Sequence, residues 1–326
     1  MKALVYTKYG NPSDIFRIEE IQKPVPKENE ILVKVYATTV NRTDEGLVTA
    51  RYVVSRLFTG LLKPKKRIPG TDLAGQIEAV GDKVTDFEVG DKVFGFNDEI
   101  LSSHAEYLVI GENSALLKIP QNSTYIEAAA SCEGVHYALN FINKTSLTKG
   151  QKVFVNGATG AIGSAAIQLL RHYGLEIDAS ANADNLELVK SLGANRVIDY
   201  TQNDFTEENG DYDFVFDAVG KSSFSKCKKM LKPKGIYISS ELGRWGSNVF
   251  WALATPILGG KRVIFPFPAD IKKSLLFVKN LIEEREFKAV VDRTYPLEKI
   301  IEAYQYVATG QKIGNVVITM AQDGKV

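Results

Sequence analysis

Gly157, Gly160 and Gly163 fall within VFVNGATGAIGSAAIQLL, residues 153–170. A β-branched apolar strand there runs into a glycine-bearing turn and continues as an apolar helix. Such a turn points backbone N–H groups outward at a helix N-terminus, where the helix dipole favours negative charge and absent Cβ atoms let a ligand come close. The chemistry this permits is the seating of a diphosphate on the amides of Ala158, Thr159, Gly160, Ala161, Ile162 and Gly163. Asn182 lies 19 residues beyond Gly163, near the expected end of a second parallel strand, as a βαβ unit requires. A glycine turn alone is weak; inside a strand–turn–helix–strand frame it is specific.

The flanking chain must supply a sheet to hold that turn. From about Ile126 helical runs (Ile126–Asn143, Ile162–Tyr173, Asn185–Leu192) alternate with apolar strands at Val153–Asn156, Ile177–Ser180, Arg196–Ile198, Phe214–Asp217, Gly235–Ser239 and Arg262–Phe265. That alternation predicts a doubly wound parallel sheet. Upstream, short β-type runs (Ala3–Tyr6, Ile31–Thr39, Gly75–Val80, Lys92–Phe94, Ala105–Val109) are broken by Pro24, Pro26, Gly81-Asp82 and Gly90-Asp91. A helix at Ile271–Arg285, another around Leu297–Ala308 and a strand at Asn315–Ile318 close the chain and most simply return to the first domain. The expected organisation is α/β: a β-rich domain of residues 1–124 and 268–326 around an inserted dinucleotide-binding domain of residues 125–267.

Size and composition agree. The chain has 326 residues, 44% hydrophobic and 24% charged, with net charge +1, enough for two cores and without bulk attraction to nucleic acid or anionic lipid. No basic stripe with interleaved aromatics suggests a nucleic-acid module. The two cysteines, Cys132 and Cys227, make no disulfide framework and suit a reducing compartment. MKALVYTKYG lacks the apolar run of a signal peptide, and Val249–Leu258 is far short of a membrane span, so a cytoplasmic protein with no membrane insertion is expected.

VNRTD (40–44), GTDLAGQIEAVGDKVTDFEVGDKVFGF (70–96), NGATGAIGSAAIQLL (156–170) and IGNVVI (313–318) occur in that order. Together they resemble the medium-chain dehydrogenase/reductase superfamily, specifically its zinc-free quinone oxidoreductase-like branch, over essentially the whole chain. The resemblance implies a GroES-like catalytic domain wrapped around an inserted Rossmann domain, with a nicotinamide cofactor in the cleft between them. Zinc alcohol dehydrogenases of the superfamily carry a Cys at the position of Asn41 and a His at that of Thr71, leaving Cys132 alone of the ligand set. A catalytic zinc needs about three N, S or O ligands from protein, so no metal is expected. Cys132 is then either a ligand remnant or a small buried hydrophobe.

Without a Lewis acid, hydride transfer is easiest to quinones and α,β-unsaturated carbonyls, which delocalise the incoming charge; the protein must add orientation and a hydrogen-bond donor or two. The resemblance places Asn41 and Thr43 beside the nicotinamide as those donors, although Asn41 also suits an Asx-turn and Thr43 a helix N-cap. Residues 46–67 form a long connection with Tyr52, Phe58 and Leu61 that fits a lid over a flat substrate. Tyr52 is its candidate phenol donor, or else packs beneath the loop. The cluster Lys63, Lys65, Lys66 and Arg67 reads as a solvated edge.

His136, where relatives commonly have Thr, is expected to touch the cofactor, or to be structural. Val219 and Ser240 follow expected strand ends, and Asn315 would face the pyrophosphate. An NAD site usually ends its second strand with an acid; Ser180-Ala181-Asn182 has none, so NADPH is expected, with NADH not excluded. Asn182 and Asn185 supply the polar part, Tyr200 would stack near the adenosine phosphate, and Lys312 would add charge. Asp184 would repel that phosphate if it faced the site. Relatives pair the edge strand KRVIFPF (261–267) across a twofold, which implies a homodimer; the alternative is a monomer whose edge is blunted by Pro266 and Pro268. Two other functions stay open: a zinc-type alcohol dehydrogenase, disfavoured by Asn41 and Thr71, and a non-catalytic nicotinamide-binding sensor or scaffold.

Overall fold

The computed structural model of the chain describes residues 1–50, 56–97, 101–266 and 270–320, with the Phe58 side chain outside that set. Internal contacts divide the chain into a first unit, Met1–Glu133 with Ile271–Val326, and a second, Gly134–Asp270.

The first unit opens with an antiparallel ribbon, Lys2–Val5 (β1) against Arg17–Glu20 (β2). It continues through Glu30–Val40 (β3), helix Arg42–Thr49 (α1), Asp72–Val80 (β4), Lys92–Phe96 (β5), Tyr107–Gly111 (β6), Leu116–Lys118 (β7) and helix Tyr125–Ala130 (α2). Next come helix Glu133–Ile142 (α3), Lys152–Asn156 (β8), helix Ala161–His172 (α4), Glu176–Ala181 (β9), helix Leu186–Leu192 (α5), Arg196–Asp199 (β10), Tyr212–Asp217 (β11), Leu231–Ser239 (β12), helix Ser247–Leu258 (α6) and Arg262–Ile264 (β13). The chain then returns to the first unit with helix Ile271–Glu283 (α7), Val291–Pro296 (β14), helix Ile300–Ala308 (α8) and Asn315–Thr319 (β15).

In the first unit the sheet runs β14-β15-β3-β4-β5-β7, with β6 also on β3. The 11-residue β3 is the hub, pairing antiparallel with β4, β6 and β15. Its Ile31, Val33 and Val35 join Leu73, Val316 and Tyr304 in one buried cluster. Each such aliphatic side chain stabilises by about 1.5–3 kcal/mol on burial. In the second unit all six strands are parallel, in the order β10-β9-β8-β11-β12-β13. Val153, Phe154 and Val155 are buried in succession, as expected of a strand covered on both faces. The strand order reverses between β8 and β11, the switch point at which such sheets bind ligands beyond their C-terminal strand ends.

The α/β architecture and its alternation agree with the sequence. The run Ile126–Asn143 is not one helix, however. Thr124 caps α2 through a reciprocal box with Glu127, and Ser131 ends it by donating its hydroxyl to the Glu127 carbonyl at 2.6 Å. A second helix then starts at Glu133. Helix α2 packs on β3 and β4, with Tyr125 stacked on Tyr36 at 4.6 Å, so the division falls after Glu133 rather than at 124/125. Strands β2, β7 and β14 were not foreseen; β2 and β14 have largely exposed side chains, and β7 is only three residues long.

Candidate active site

The glycines of the 157–163 turn serve different ends. Gly157 has φ +81°, and a Cβ there would lie 2.3 Å from Val219 Cγ1. A Cβ on Gly163 would lie 2.2 Å from the Gly157 carbonyl oxygen. Gly160 differs: it is the N-cap of α4, no side chain caps that helix, and the nearest atom to its missing Cβ is 3.7 Å away. Gly134, in the first turn of α3, lets that helix approach the Ala161 carbonyl, 2.7 Å from its own missing Cβ.

The amides expected to hold a diphosphate divide into two sets. Ala158 N–H donates to the Ser180 carbonyl (3.3 Å), tying the turn to β9, and Gly160 N–H to the Gly157 carbonyl (3.2 Å), closing it. Ala161, Ile162 and Gly163 stand in the first turn of α4, whose amides a helix leaves without internal acceptors. With Thr159 beside them and no atom nearer than 3.7 Å to the missing Cβ of Gly160, the residues present fit a dinucleotide diphosphate.

Asp217, which the sequence did not single out, holds the loop opposite. It is fully buried at the end of β11 and accepts from Asn156 Nδ2 (2.9 Å), Gly220 N–H (3.0 Å), Ser222 N–H (3.0 Å) and the Tyr237 hydroxyl (2.9 Å). It thereby fixes Val219 against Gly157, while Ser240 N–H donates to its carbonyl (3.1 Å). The signal was present as an acid ending an apolar strand, VFDAVG.

At the end of β9, Ser180 turns inward, donating to Asn156 Oδ1 (2.8 Å) and accepting from Gly157 N–H (3.3 Å). Asn182 Oδ1 accepts from Asn185 Nδ2 (2.6 Å), Asp184 is exposed, and Tyr200 N–H pairs with the Ala181 carbonyl (3.1 Å) and leaves its ring half exposed. His136 is fully buried at 3.1 Å from Asn140 Nδ2, and burial lowers its pKa to about 4.

The first unit gathers a different set. Asn41 is the N-cap of α1, so Thr43 is not the cap; it lies in the first turn and donates its hydroxyl to Glu133 Oε1 at 2.5 Å. Asn41 N–H donates to Asp44 Oδ2 (2.9 Å), and its Nδ2 reaches Thr39 Oγ1 (3.0 Å), Asp72 Oδ2 (3.4 Å) and Asn315 Oδ1 (3.4 Å). Thr71 donates to Asp44 Oδ1 (3.2 Å), and Glu133 N–H to Asp72 Oδ1 (3.2 Å). Burial pushes Asp44 up to about 8 and raises Asp72 and Glu133, with the Glu133 charge raising both aspartates further. Lys312 donates to the Gly314 carbonyl (2.5 Å) and is pushed down to about 8 by desolvation, against the pull of Glu133 and Asp292. Asn315 is buried and donates to the Val290 carbonyl (3.1 Å). Asn315 and Lys312, read as phosphate contacts, are thus tied to polar groups of their own unit. Tyr52 lies outside the described residues.

At the three positions where zinc relatives hold metal, Asn41 and Thr71 are engaged as above. Cys132 is buried, its thiol 3.4 Å from the Ala128 carbonyl and held well above its usual pKa by burial. Among the described residues no group of three His, Cys, Asp or Glu side chains is arranged to hold a metal ion. Asp44, Asp72 and Glu133 were missed. Acids inside apolar runs, as in AAASCEGVHYAL and GTDLAG, were the available cue.

Comparison with known proteins gives a consistent result. Residues 27–121 match the alcohol dehydrogenase GroES-like domain, and residues 192–318 a family described as zinc-binding dehydrogenase. The chain is 31% identical to 2-methylene-furan-3-one reductase of Solanum lycopersicum, over 98% of this chain and 79% of that one. It is equally 31% identical, with the same coverage, to the chloroplastic NADPH-dependent alkenal/one oxidoreductase of Arabidopsis thaliana. Among solved structures, the quinone oxidoreductase from Coxiella burnetii superposes with a TM-score of 0.85 at 22% identity, covering 98% of this chain and 99% of that one, a likeness of fold.

Proposed function

The chain belongs to the medium-chain dehydrogenase/reductase superfamily, in its quinone oxidoreductase-like branch, and from that premise we propose that it is a nicotinamide-dependent reductase of quinones or α,β-unsaturated carbonyls. The observation that carries this is the near full-length similarity to two reductases named for a methylene-furanone and for alkenals and alkenones. A bound nicotinamide supplies the hydride. The chain's own part is to seat the diphosphate on the first turn of α4, and to offer the substrate oxygen a hydrogen bond from Thr43, whose hydroxyl rests on Glu133 Oε1, or from Asn41, whose Nδ2 rests on Thr39, Asp72 and Asn315, as the substrate displaces those partners. Supporting a metal-independent reaction, the Asn41 Nδ2 already reaches the Thr39 hydroxyl and the Asp72 carboxylate, and the Thr71 hydroxyl the Asp44 carboxylate.

NADPH is the preferred cofactor in this proposal, supported by the missing acid at Ser180–Asn182 and by Asn182 and Asn185 at that end. No helix among the described residues is long and apolar enough to cross a membrane. The two buried free cysteines support a reducing cytoplasmic setting. A homodimer is supported by the edge position of β13 and by the preceding α6, where Leu253 is 72% and Ile257 87% exposed. Leu253→Glu should then convert a dimer to a monomer in analytical ultracentrifugation.

Steady-state oxidation of NADPH and NADH with 9,10-phenanthrenequinone, 1,4-benzoquinone and a 2-alkenal tests the function. Turnover of at least one acceptor by metal-stripped protein is expected. No turnover with either nicotinamide, despite measurable cofactor binding, would favour the sensor or scaffold alternative.

A further inference from the structure

The first unit buries more ionisable groups than donating two hydrogen bonds requires. Asp44 from α1, Asp72 from β4 and Glu133 from the start of α3 are each at most 5% exposed. The aspartate oxygens all have donors: Asn41 N–H and the Thr71 hydroxyl on Asp44; Glu133 N–H, the Thr39 hydroxyl and Asn41 Nδ2 on Asp72. Glu133 is different. Its Oε1 takes the Thr43 hydroxyl, but Oε2 is buried with no partner, as is Asn41 Oδ1. A bare buried acceptor is costly, and a carboxylate more so. A proton on Glu133 removes the charge and turns the carboxyl into a donor.

The surrounding charges agree. Asp72 and Asp44 face Glu133 from β4 and α1, the Cys132 thiol precedes it, and Lys312, itself near Asp292 and Arg42, faces it from the segment before β15. Three carboxyls buried together, with Lys312 the one ammonium that faces Glu133 among the described residues, do not all ionise readily. Burial raises Glu133, while Thr43, Lys312 and Asn41 draw it partly back.

We propose that Glu133 is the proton store of the reduction and feeds it through the Thr43 hydroxyl to the substrate oxygen. This rests on the function proposed above. In an enone the β-carbon accepts the hydride with its electron pair, the C=C π pair shifts toward the carbonyl carbon, and the carbonyl π pair moves onto oxygen. The Thr43 hydroxyl, which rests on Glu133 Oε1, turns its hydrogen to that oxygen and gives it up, while a proton carried on Glu133 Oε1 passes to Thr43 Oγ1 as the Glu133 O–H bond breaks. A bound nicotinamide would supply the hydride and so be the species oxidised; the enol tautomerises to the saturated carbonyl, and Glu133 remains a carboxylate beside the Lys312 ammonium until solvent reprotonates it. Glu133 acts through Thr43 and is a positioning and relay residue; Thr43 would be the catalytic donor.

Glu133→Gln keeps the size and an acceptor for Thr43 but has no acidic proton. The expected result is a fall in kcat of about 10²-fold, the lower end for loss of a general acid, with NADPH Kd from fluorescence titration and substrate KM within about twofold of wild type. Wild-type kcat should fall as pH rises through the elevated Glu133 pKa, and that limb should vanish in the variant. Thr43→Val should give the same loss, the double variant no more than either single one, and Glu133→Asp partial recovery. Wild-type kcat and an unchanged pH limb in Glu133→Gln would overturn the relay. Should that variant misfold, full turnover by Thr43→Val overturns it instead. Absence of turnover in the wild type would overturn the proposed function, whereas a fully active Glu133→Gln would remove the relay alone.

Discussion

The diphosphate turn of the second unit and the polar cluster of the first are both suited to bind, yet they are built of opposite materials. Around Gly157–Gly163 the contacts offered are backbone amides, and glycines matter for what they lack: a Cβ at 157 or 163 would strike Val219 or the Gly157 carbonyl. Around Thr43 and Glu133 the contacts are side chains from α1, β4, α3 and the segment before β15, joined by buried hydrogen bonds. A backbone device tolerates no added volume but carries no titratable group. A side-chain cluster accepts conservative changes of size but depends on where its protons sit.

The sharpest break in that comparison is Gly163→Ala. One methyl group placed 2.2 Å from a carbonyl oxygen must displace the turn. NADPH affinity, measured by fluorescence titration, should fall at least about 100-fold, as expected when a diphosphate loses most of its charge-assisted hydrogen bonds. An unchanged Kd would refute the cradle. Asp217→Ala tests whether the turn needs a side-chain latch after all. Leaving several buried donors unpaired should cost about 3 kcal/mol, read as a lower denaturation midpoint, with looser NADPH binding because Val219 is freed.

Asn182→Asp probes the one place where side-chain charge is expected to govern the cofactor. An acid there should lower the NADPH-to-NADH ratio of kcat/KM about tenfold, through repulsion of a 2′-phosphate and a bond to a free 2′-hydroxyl. A constant ratio would move the specificity site elsewhere.

The smallest effect sharpens the contrast in proton content. Asp44 titrates at about 8 when folded against 3.8 in its ordinary state, so its contribution is complete below 3.8 and is lost as pH rises through 8. Asp44→Asn should therefore gain Tm relative to wild type by a few degrees as pH rises from 5 to 9. His104 and His136 oppose this in both proteins: each falls from 6.5 to about 4, so their stabilisation is lost as pH drops through that window. A Tm difference independent of pH would place the Asp44 proton elsewhere.

Much of the second unit was legible because its signals are local. Alternating apolar strands and helices, and glycines at set spacing, give the parallel sheet and its turn with little help from distant residues. Even so, Ala158 spends its amide on the Ser180 carbonyl of β9 and Gly160 on the Gly157 carbonyl, and neither this nor the Asp217 latch can be read from spacing alone. In the first unit Asn41 and Thr43 were visible through the resemblance. Lys312 and Asn315, expected near the phosphates, have partners that spacing does not announce: the Gly314 and Val290 carbonyls and Asn41 Nδ2.

By itself, then, the sequence determined the α/β class, the family and a glycine turn suited to a diphosphate, since those follow from periodicity and from residues adjacent in the chain. Tertiary structure alone decided that Glu133 sits on Thr43, that Asp44 and Asp72 crowd it, and that the Lys312 ammonium faces it. Those groups lie up to 271 positions apart, from Asn41 to Lys312. Their ionisation depends on how much water folding removes from around each, a quantity that local sequence does not encode.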